Sequence, residues 1–205
     1  MSNTGKEIEV KFYLADLPRL QQRLEALGAA CEQPRVYEAN LRFDTPDRSL
    51  SRSLRALRLR MDTAARMTYK GPPQEDAGAR LRQELEFTVS DFDMARALLE
   101  ALGYQVIVMY EKYRATYRLG ELLVTLDEMP FGTFAEIEGP GGETIQEAAR
   151  QLGLDWERRM LDSYLVIFDQ LKVRMGLSFK DLSFENFQGL TIPPEALGAT
   201  PADRE

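Results

Sequence analysis

Near the start of the chain, Glu7, Glu9 and Lys11 stand two residues apart and alternate with Ile8, Val10 and Phe12. Alternation at period two marks a β-strand with one apolar and one polar face, so two carboxylates and an ammonium share one side. The same phase returns along the chain. Arg58 and Arg60 alternate with Leu57, Leu59 and Met61, and Arg66, Thr68 and Lys70 with Met67 and Tyr69. Arg80, Arg82, Glu84, Glu86 and Thr88 oppose Leu81, Leu85 and Phe87. Lys112, Arg114, Thr116 and Arg118 oppose Tyr113, Ala115 and Tyr117; Thr125 and Asp127 oppose Val124 and Leu126; Glu136 and Glu138 oppose Ala135 and Ile137. Clustered Arg and Lys neutralise a polyanion, and Arg grips phosphate oxygens with two parallel donors. Clustered carboxylates cannot all stay ionised at close range. A divalent cation resolves that conflict and bridges to phosphate oxygens. Faces carrying both signs therefore describe a site for a metal–polyphosphate complex. The competing reading is a solvated sheet face with weak cross-strand ion pairs. Regular Arg-x-Arg and Glu-x-Glu pairs across seven strands argue against it.

The elements that must hold these residues follow from the same periodicities. Strands are expected over 5–14, 36–44, 54–61, 66–70, 80–89, 106–119, 122–129 and 132–139, mostly joined by short turns. Helices are expected over 16–28, 90–104, 144–153 and 155–176, the first with Asp16 as cap and Leu17, Leu20, Leu24 and Leu27 on one stripe. Ser90 with Asp93, and Thr144 with Glu147, have the spacing of helix-starting boxes. Few helices separate the strands, which points to an antiparallel α+β protein. If the helices cover the apolar faces, a closed or strongly curled sheet turns the ionic faces inward as a polar lumen. Residues 177–205 lack clear periodicity. Leu177, Phe179, Leu182, Phe184 and Phe187 are too apolar for a free tail, so this segment is expected to pack on the body, with a homodimer left open.

Composition narrows the chemistry. The chain has 205 residues, 44% hydrophobic and 29% charged, with net charge −7, enough for one real core. An acidic balance argues against generic nucleic-acid binding. There is no histidine and a single cysteine, Cys31. Serine–histidine, cysteine–histidine and histidine–metal sites are thereby excluded, as is an internal disulfide. Any metal must be held by oxygen, which favours Mg²⁺, Mn²⁺ or Ca²⁺ over zinc. No glycine-rich phosphate loop appears. No apolar run reaches a membrane span and the start carries no signal pattern, so a soluble cytoplasmic protein without membrane partners is expected.

The residues also resemble a known family. "EIEVK" (7–11) fits the Glu-x-Glu-x-Lys signature of the CYTH superfamily, the triphosphate tunnel metalloenzymes. It is followed in order by "LRLR" (57–60), "TYKGP" (68–72), "ELEF" (84–87), "EKYR" (111–114), "TLDEM" (125–129) and "AEIEG" (135–139). The resemblance implies a closed eight-stranded antiparallel barrel with helices outside, here a tunnel domain over 1–176 with an extension over 177–205. It implies Glu7, Glu9, Glu136 and Glu138 as metal ligands with Asp127 beside them, and Glu84 and Glu86 as further acidic wall. Lys11, Arg58, Arg60, Lys70, Lys112 and Arg114 match phosphate-binding positions, and Glu7, Glu9, Lys11, Glu136 and Glu138 form the catalytic set. Arg82 and Arg118 fit structural ion pairing better. Lys172 or Arg174 would serve if a basic residue from the last helix guards the tunnel mouth. The implied activity is Mg²⁺- or Mn²⁺-dependent hydrolysis of inorganic, nucleoside or thiamine triphosphate. Adenylyl cyclisation is the alternative; many class IV cyclases carry a His-Phe pair just before the first strand, where this chain has Gly5-Lys6. A non-catalytic polyphosphate binder is the third reading, disfavoured by two complete Glu-x-Glu pairs.

Overall fold

The computed structural model describes residues 5–203. Eight strands form a ring. They are β1 (Lys6–Leu14), β2 (Ala30–Asp44), β3 (Ala56–Met61), β4 (Ala65–Lys70), β6 (Ala79–Val89), β7 (Gln105–Leu119), β8 (Leu122–Met129) and β9 (Gly132–Glu138). Two short strands flank it, β5 (Gln74–Asp76) beside β6 and β10 (Arg159–Met160) beside β1. Around the ring the order is β1-β9-β8-β7-β2-β3-β4-β6, every neighbour antiparallel. The ring closes through β1 and β6, where Lys6, Glu7, Ile8 and Glu9 face Gln83, Arg82, Leu81 and Arg80. Closure leaves no long open edge within the ring and fixes which face is inside.

The apolar phase faces outward and is covered by helices. Val10, Phe12 and Leu14 of β1, Val124 and Leu126 of β8, and Ala135 and Ile137 of β9 pack against α1 (Leu17–Ala26) and α4 (Gly142–Gln151), through Leu20, Leu24, Ile145, Ala148 and Ala149. On the opposite wall Phe43 and Leu59 pack against Ala95 and Leu99 of α3 (Phe92–Ala101). Two shorter helices, α2 (Ser49–Arg52) and α6 (Pro194–Leu197), lie in connections. At one end of the ring the inward phase changes character. Tyr13, Met129 and Phe134 continue the alternation of Lys11, Asp127 and Glu136, yet they are apolar or aromatic. They carry α5 (Tyr164–Met175) and the chain beyond it, through Ile167, Phe168, Leu171, Phe179 and Phe187.

Several local expectations are corrected. Residues 155–176 do not form one helix. A short 3-10 turn at Trp156–Arg158 leads into β10, whose Met160 pairs with Lys11, and Ser163 then caps α5 by accepting from the Val166 amide. Pairing with β1 outweighs helical propensity there. β2 starts at Ala30, six residues earlier than expected, and bulges twice before Val36; Pro34 in that stretch hides the strand signal. Asp91, not Ser90, caps α3, and α4 begins at Gly142 without a side-chain cap.

The extension is bonded to the ring at two places. Leu182 exchanges backbone hydrogen bonds with Met109 and Glu111 of β7. Buried Asp203 accepts from the amides of Ala15 and Asp16, each at 2.7 Å, where β1 passes into α1. Removing that carboxylate strands two donors, at a cost of about 1–3 kcal/mol. Asp203→Ala is therefore expected to lower the denaturation midpoint with an unchanged slope in urea, and an unchanged midpoint would refute the clamp.

Candidate functional site

The interior of the ring is a cavity of about 410 Å³. Of the residues expected from sequence, Glu7, Glu9, Lys11, Arg58, Arg60, Lys70, Glu84, Glu86, Lys112, Arg114, Glu136 and Glu138 all line it. Eleven basic and eight acidic side chains form its wall, so an acidic protein encloses a positive lumen. Few apolar groups reach the wall; they include Ala56, Leu123 and Leu165. Arg118 is outside, paired with Glu32 at 2.8 Å on the surface. Arg82 lines the cavity too but spends its guanidinium on the carbonyls of Gly71 and Leu54, backbone hydrogen bonds in place of the ion pair expected of it. Lys172 and Arg174 are corrected: neither lines the cavity. They sit in the last turn of α5, with Lys172 on Asp169 and Arg174 on the carbonyl of Ala196.

The lumen has an acidic quarter. Glu9 and Glu138 face each other across β1 and β9, a pairing that like charges disfavour. Burial, then Glu7 and Glu84, push the Glu138 carboxyl up to about 7. Burial also raises Glu7, with Lys70 opposing and Glu84 adding. Lys70 holds this quarter together. Its ammonium donates to both Glu7 oxygens at 2.5 and 2.6 Å and lies 3.2 Å from Glu84. Among the described residues, no three carboxylates already stand around one point as metal ligands. The donor set nevertheless suits a hard cation: all oxygen, buried at Glu7 and half-buried at Glu9, Glu84 and Glu138, mutually repelling, and incompletely neutralised by one lysine.

A second quarter is built around Asp127, which was expected beside the metal ligands. It is completely buried and does not line the cavity. Its oxygens accept from Arg114 Nε and Nη2 at 2.6 and 2.5 Å, from Lys112 at 3.2 Å and from the Tyr164 hydroxyl at 2.7 Å. With those lone pairs filled by the protein, Asp127 is an anchor for cations and not a metal ligand. Glu136 also belongs here, accepting from Lys11 and Arg114. Burial opposes its ionisation, yet Lys11, Arg114 and Lys112 hold it well below the usual carboxylate range. Lys11 lies 4.2 Å above the Tyr164 ring. Tyr164 thus fixes Asp127 and caps Lys11, which ties the seating of α5 to the aim of three cations. On the third wall Arg58 and Arg60 share Glu86, at 3.3 and 3.1 Å, while Glu38 lies within 3.5–3.6 Å of Lys112 and Arg60.

Glu38, Arg42, Tyr110 and Tyr164 line the cavity without being among the expected site residues. The alternation rule reaches the first two, because Glu38, Asn40 and Arg42 alternate with Tyr37, Ala39, Leu41 and Phe43. Tyr110 continues the phase of Lys112 and Arg114 toward the start of β7. Nothing local marks Tyr164, whose position follows from the broken helix.

Two outcomes follow. A carboxyl raised to about 7 from 4.5 stays protonated in the folded chain while the unfolded chain ionises, so the metal-free fold loses stability as pH rises from about 4.5 to 7. Glu138→Gln is expected to flatten that slope and stabilise the metal-free protein at pH 8, by up to about 3 kcal/mol; thermal melts in chelator across pH test it, and an identical slope in both proteins would refute the assignment. Tyr164→Phe removes one hydrogen bond from Asp127 and is expected to weaken polyphosphate binding several-fold while costing about 1 kcal/mol of stability. Titration calorimetry with wild-type affinity in the variant would remove Tyr164 from the positioning of the cations.

Comparison with known proteins agrees with this architecture. A family model for the CYTH domain matches residues 5–164. Adenylate cyclase CyaB of Aeromonas hydrophila is 27% identical over 188 residues, 90% of this chain and 87% of that protein. Among solved structures, a protein from Vibrio parahaemolyticus described as a candidate adenylate cyclase superposes with a TM-score of 0.72 at 24% identity, over 80% of this chain and 97% of that one. The PH1012 protein of Pyrococcus horikoshii does so at 0.67 and 29% identity, over 78% and 98%. HpAC1 of Hippeastrum, described as a candidate adenylyl cyclase with a dominant triphosphatase activity, reaches 0.60 at 22% identity, over 80% and 95%. The chain, with its ring of eight strands and ionic lumen, belongs to the CYTH domain family.

Proposed function

We propose that the protein is a divalent-metal-dependent hydrolase of triphosphate substrates. The observation that carries this reading is the division of one lumen into an acidic quarter around Glu7, Glu9, Glu84 and Glu138 and cationic walls around Lys11, Arg58, Arg60, Lys112 and Arg114. Glu7, Glu9 and Glu138 would hold Mg²⁺ or Mn²⁺; when bound, the cation neutralises phosphate oxygens and orders water beside the chain. Asp127 and Glu136 hold Lys11, Lys112 and Arg114 in place; as phosphate-binding cations these would need little reorganisation as charge develops on a departing diphosphate. Arg58 and Arg60 exchange Glu86 for phosphate oxygens, and Lys70 exchanges Glu7. The sparsely apolar lining suits the phosphate chain better than a nucleobase. A second reading, ATP cyclisation to cyclic AMP and pyrophosphate, is favoured by the relative named adenylate cyclase over most of the chain.

Phosphorus NMR of parallel reactions with tripolyphosphate and ATP in Mg²⁺ or Mn²⁺ separates the readings. Orthophosphate is the expected product from both. Pyrophosphate with cyclic AMP from ATP would reverse the order, and binding without turnover of either substrate would leave a polyphosphate binder. Glu9→Gln keeps shape and removes one charge, so turnover is expected to fall about 10²-fold or more with the melting temperature kept or raised. Near wild-type turnover at the same metal requirement would refute the acidic quarter as the metal site.

A further inference from the structure

The polar atoms that the protein leaves unsatisfied are not spread around the ring. Among the described residues, the buried side-chain atoms without a hydrogen-bond partner are one oxygen of Glu38, both amide atoms of Asn40, the Nε atoms of Arg42, Arg58 and Arg60, and the hydroxyl of Thr125. All but Thr125 lie on β2 and β3, which are adjacent strands. Glu38 and Asn40 contribute acceptors to this set, and Arg60 Nε has Asp62 as ion-pair partner at 3.3 Å, which leaves the Nε donors of Arg42 and Arg58 side by side on one wall; unpaired buried donors are costly in a finished structure, and these two call for an acceptor supplied from elsewhere.

Arg42 is the residue of this wall with least explanation. It lines the cavity and lies directly across from Arg58 on the neighbouring strand, two guanidiniums that repel. Arg58 is compensated by Glu86, Thr68 and the Tyr110 hydroxyl. Among the described residues no carboxylate lies within ion-pairing distance of Arg42. Burial pulls its guanidinium below the ordinary arginine pKa, and Arg58 adds to that, with Tyr110 and Asp44 opposing. A half-buried cation with its Nε out of water and no carboxylate partner, beside another cation, is unfavourable unless an anion joins it. The lumen offers the space, and a guanidinium has the donor geometry for a phosphoryl oxygen.

We propose that Arg42 is a further substrate-binding residue, which together with Arg58 takes an anionic oxygen of a linear polyphosphate against the β2–β3 wall. This rests on the triphosphate reading above and adds a contact that neither the Arg-x-Arg pair nor the cluster around Asp127 supplies.

The test compares wild type with Arg42→Met, Arg42→Lys and, as a control outside the ring, Arg118→Met. Binding of tripolyphosphate is measured by titration calorimetry without metal, its hydrolysis with Mg²⁺, and stability by thermal melts. Loss of a charge-assisted hydrogen bond predicts that Arg42→Met weakens binding and raises KM on the order of 10-fold to 100-fold. Arg42→Lys should fall between, and Arg118→Met should bind as wild type. Arg42→Met should keep or raise the melting temperature, because a half-buried charge without a carboxylate partner is gone. A lower melting temperature with unchanged affinity would make Arg42 structural, and unchanged affinity with unchanged stability would make it a cation served by water alone; either overturns the proposal. A wild-type protein that neither binds nor cleaves tripolyphosphate would overturn the parent reading instead.

Discussion

Four residue pairs between β1 and β6 turn a sheet into a ring, and the rest of the molecule depends on that closure. Without it, the alternating faces of eight strands would put their charges in water, where cross-strand ion pairs are weak. With it, the same charges face each other across a lumen of about 410 Å³, where desolvation makes each one expensive unless it is matched. Register then determines which charges meet. Glu9 falls opposite Glu138 and Lys11 opposite Glu136 because β1 pairs with β9 in one register, and a shift of one residue would send Val10 and Ile137 into the lumen. The outer helices keep that register by burying the apolar phase on both walls.

The matching is incomplete in a patterned way. Around Asp127 and Glu136 it is nearly full, with Lys11, Lys112, Arg114 and Tyr164 in one connected set. Around Glu7, Glu9, Glu84 and Glu138 there is too much negative charge for Lys70 alone, and along β2 and β3 there are donors without acceptors. A lumen organised this way is in its least strained electrostatic state with a cation on one wall and an anion on another. Lys70 links the two deficits. It is the counter-ion of Glu7 in the free protein, and a metal taking Glu7 would release it toward phosphate, so the two ligands would favour each other's binding.

Much of this was legible in the chain because alternation at period two is a local signal. It assigns Glu7, Arg58, Lys70, Glu84 and Glu138 to one face of their strands without any knowledge of the partners, and helical stripes such as Leu20–Leu24 show what covers the other face. What the pattern does not carry is depth. Asp127 shares the phase of the lumen residues, yet at its level Tyr164 enters from outside the sheet and fills the space, so a residue that reads as a metal ligand becomes an anchor. Tyr164 itself was hidden because residues 155–176 carry helical propensity throughout, while pairing of Met160 with Lys11 is a contact between positions far apart in sequence. Arg42 also stands in the right phase, between Leu41 and Phe43, but it belongs to none of the family-like stretches that single out the others, and its place opposite Arg58 depends on the pairing of β2 with β3, which is not a local signal.

Metal and polyphosphate are proposed to sit on separate walls of one closed lumen. A crystal structure of the protein with tripolyphosphate and Mn²⁺ addresses this directly, since manganese is located by its anomalous signal. The phosphate chain is expected inside the ring, against Lys11, Arg58, Lys112 and Arg114, with manganese between it and Glu7, Glu9 and Glu138. Polyphosphate bound outside the ring, or manganese held by residues away from those carboxylates, would contradict that arrangement.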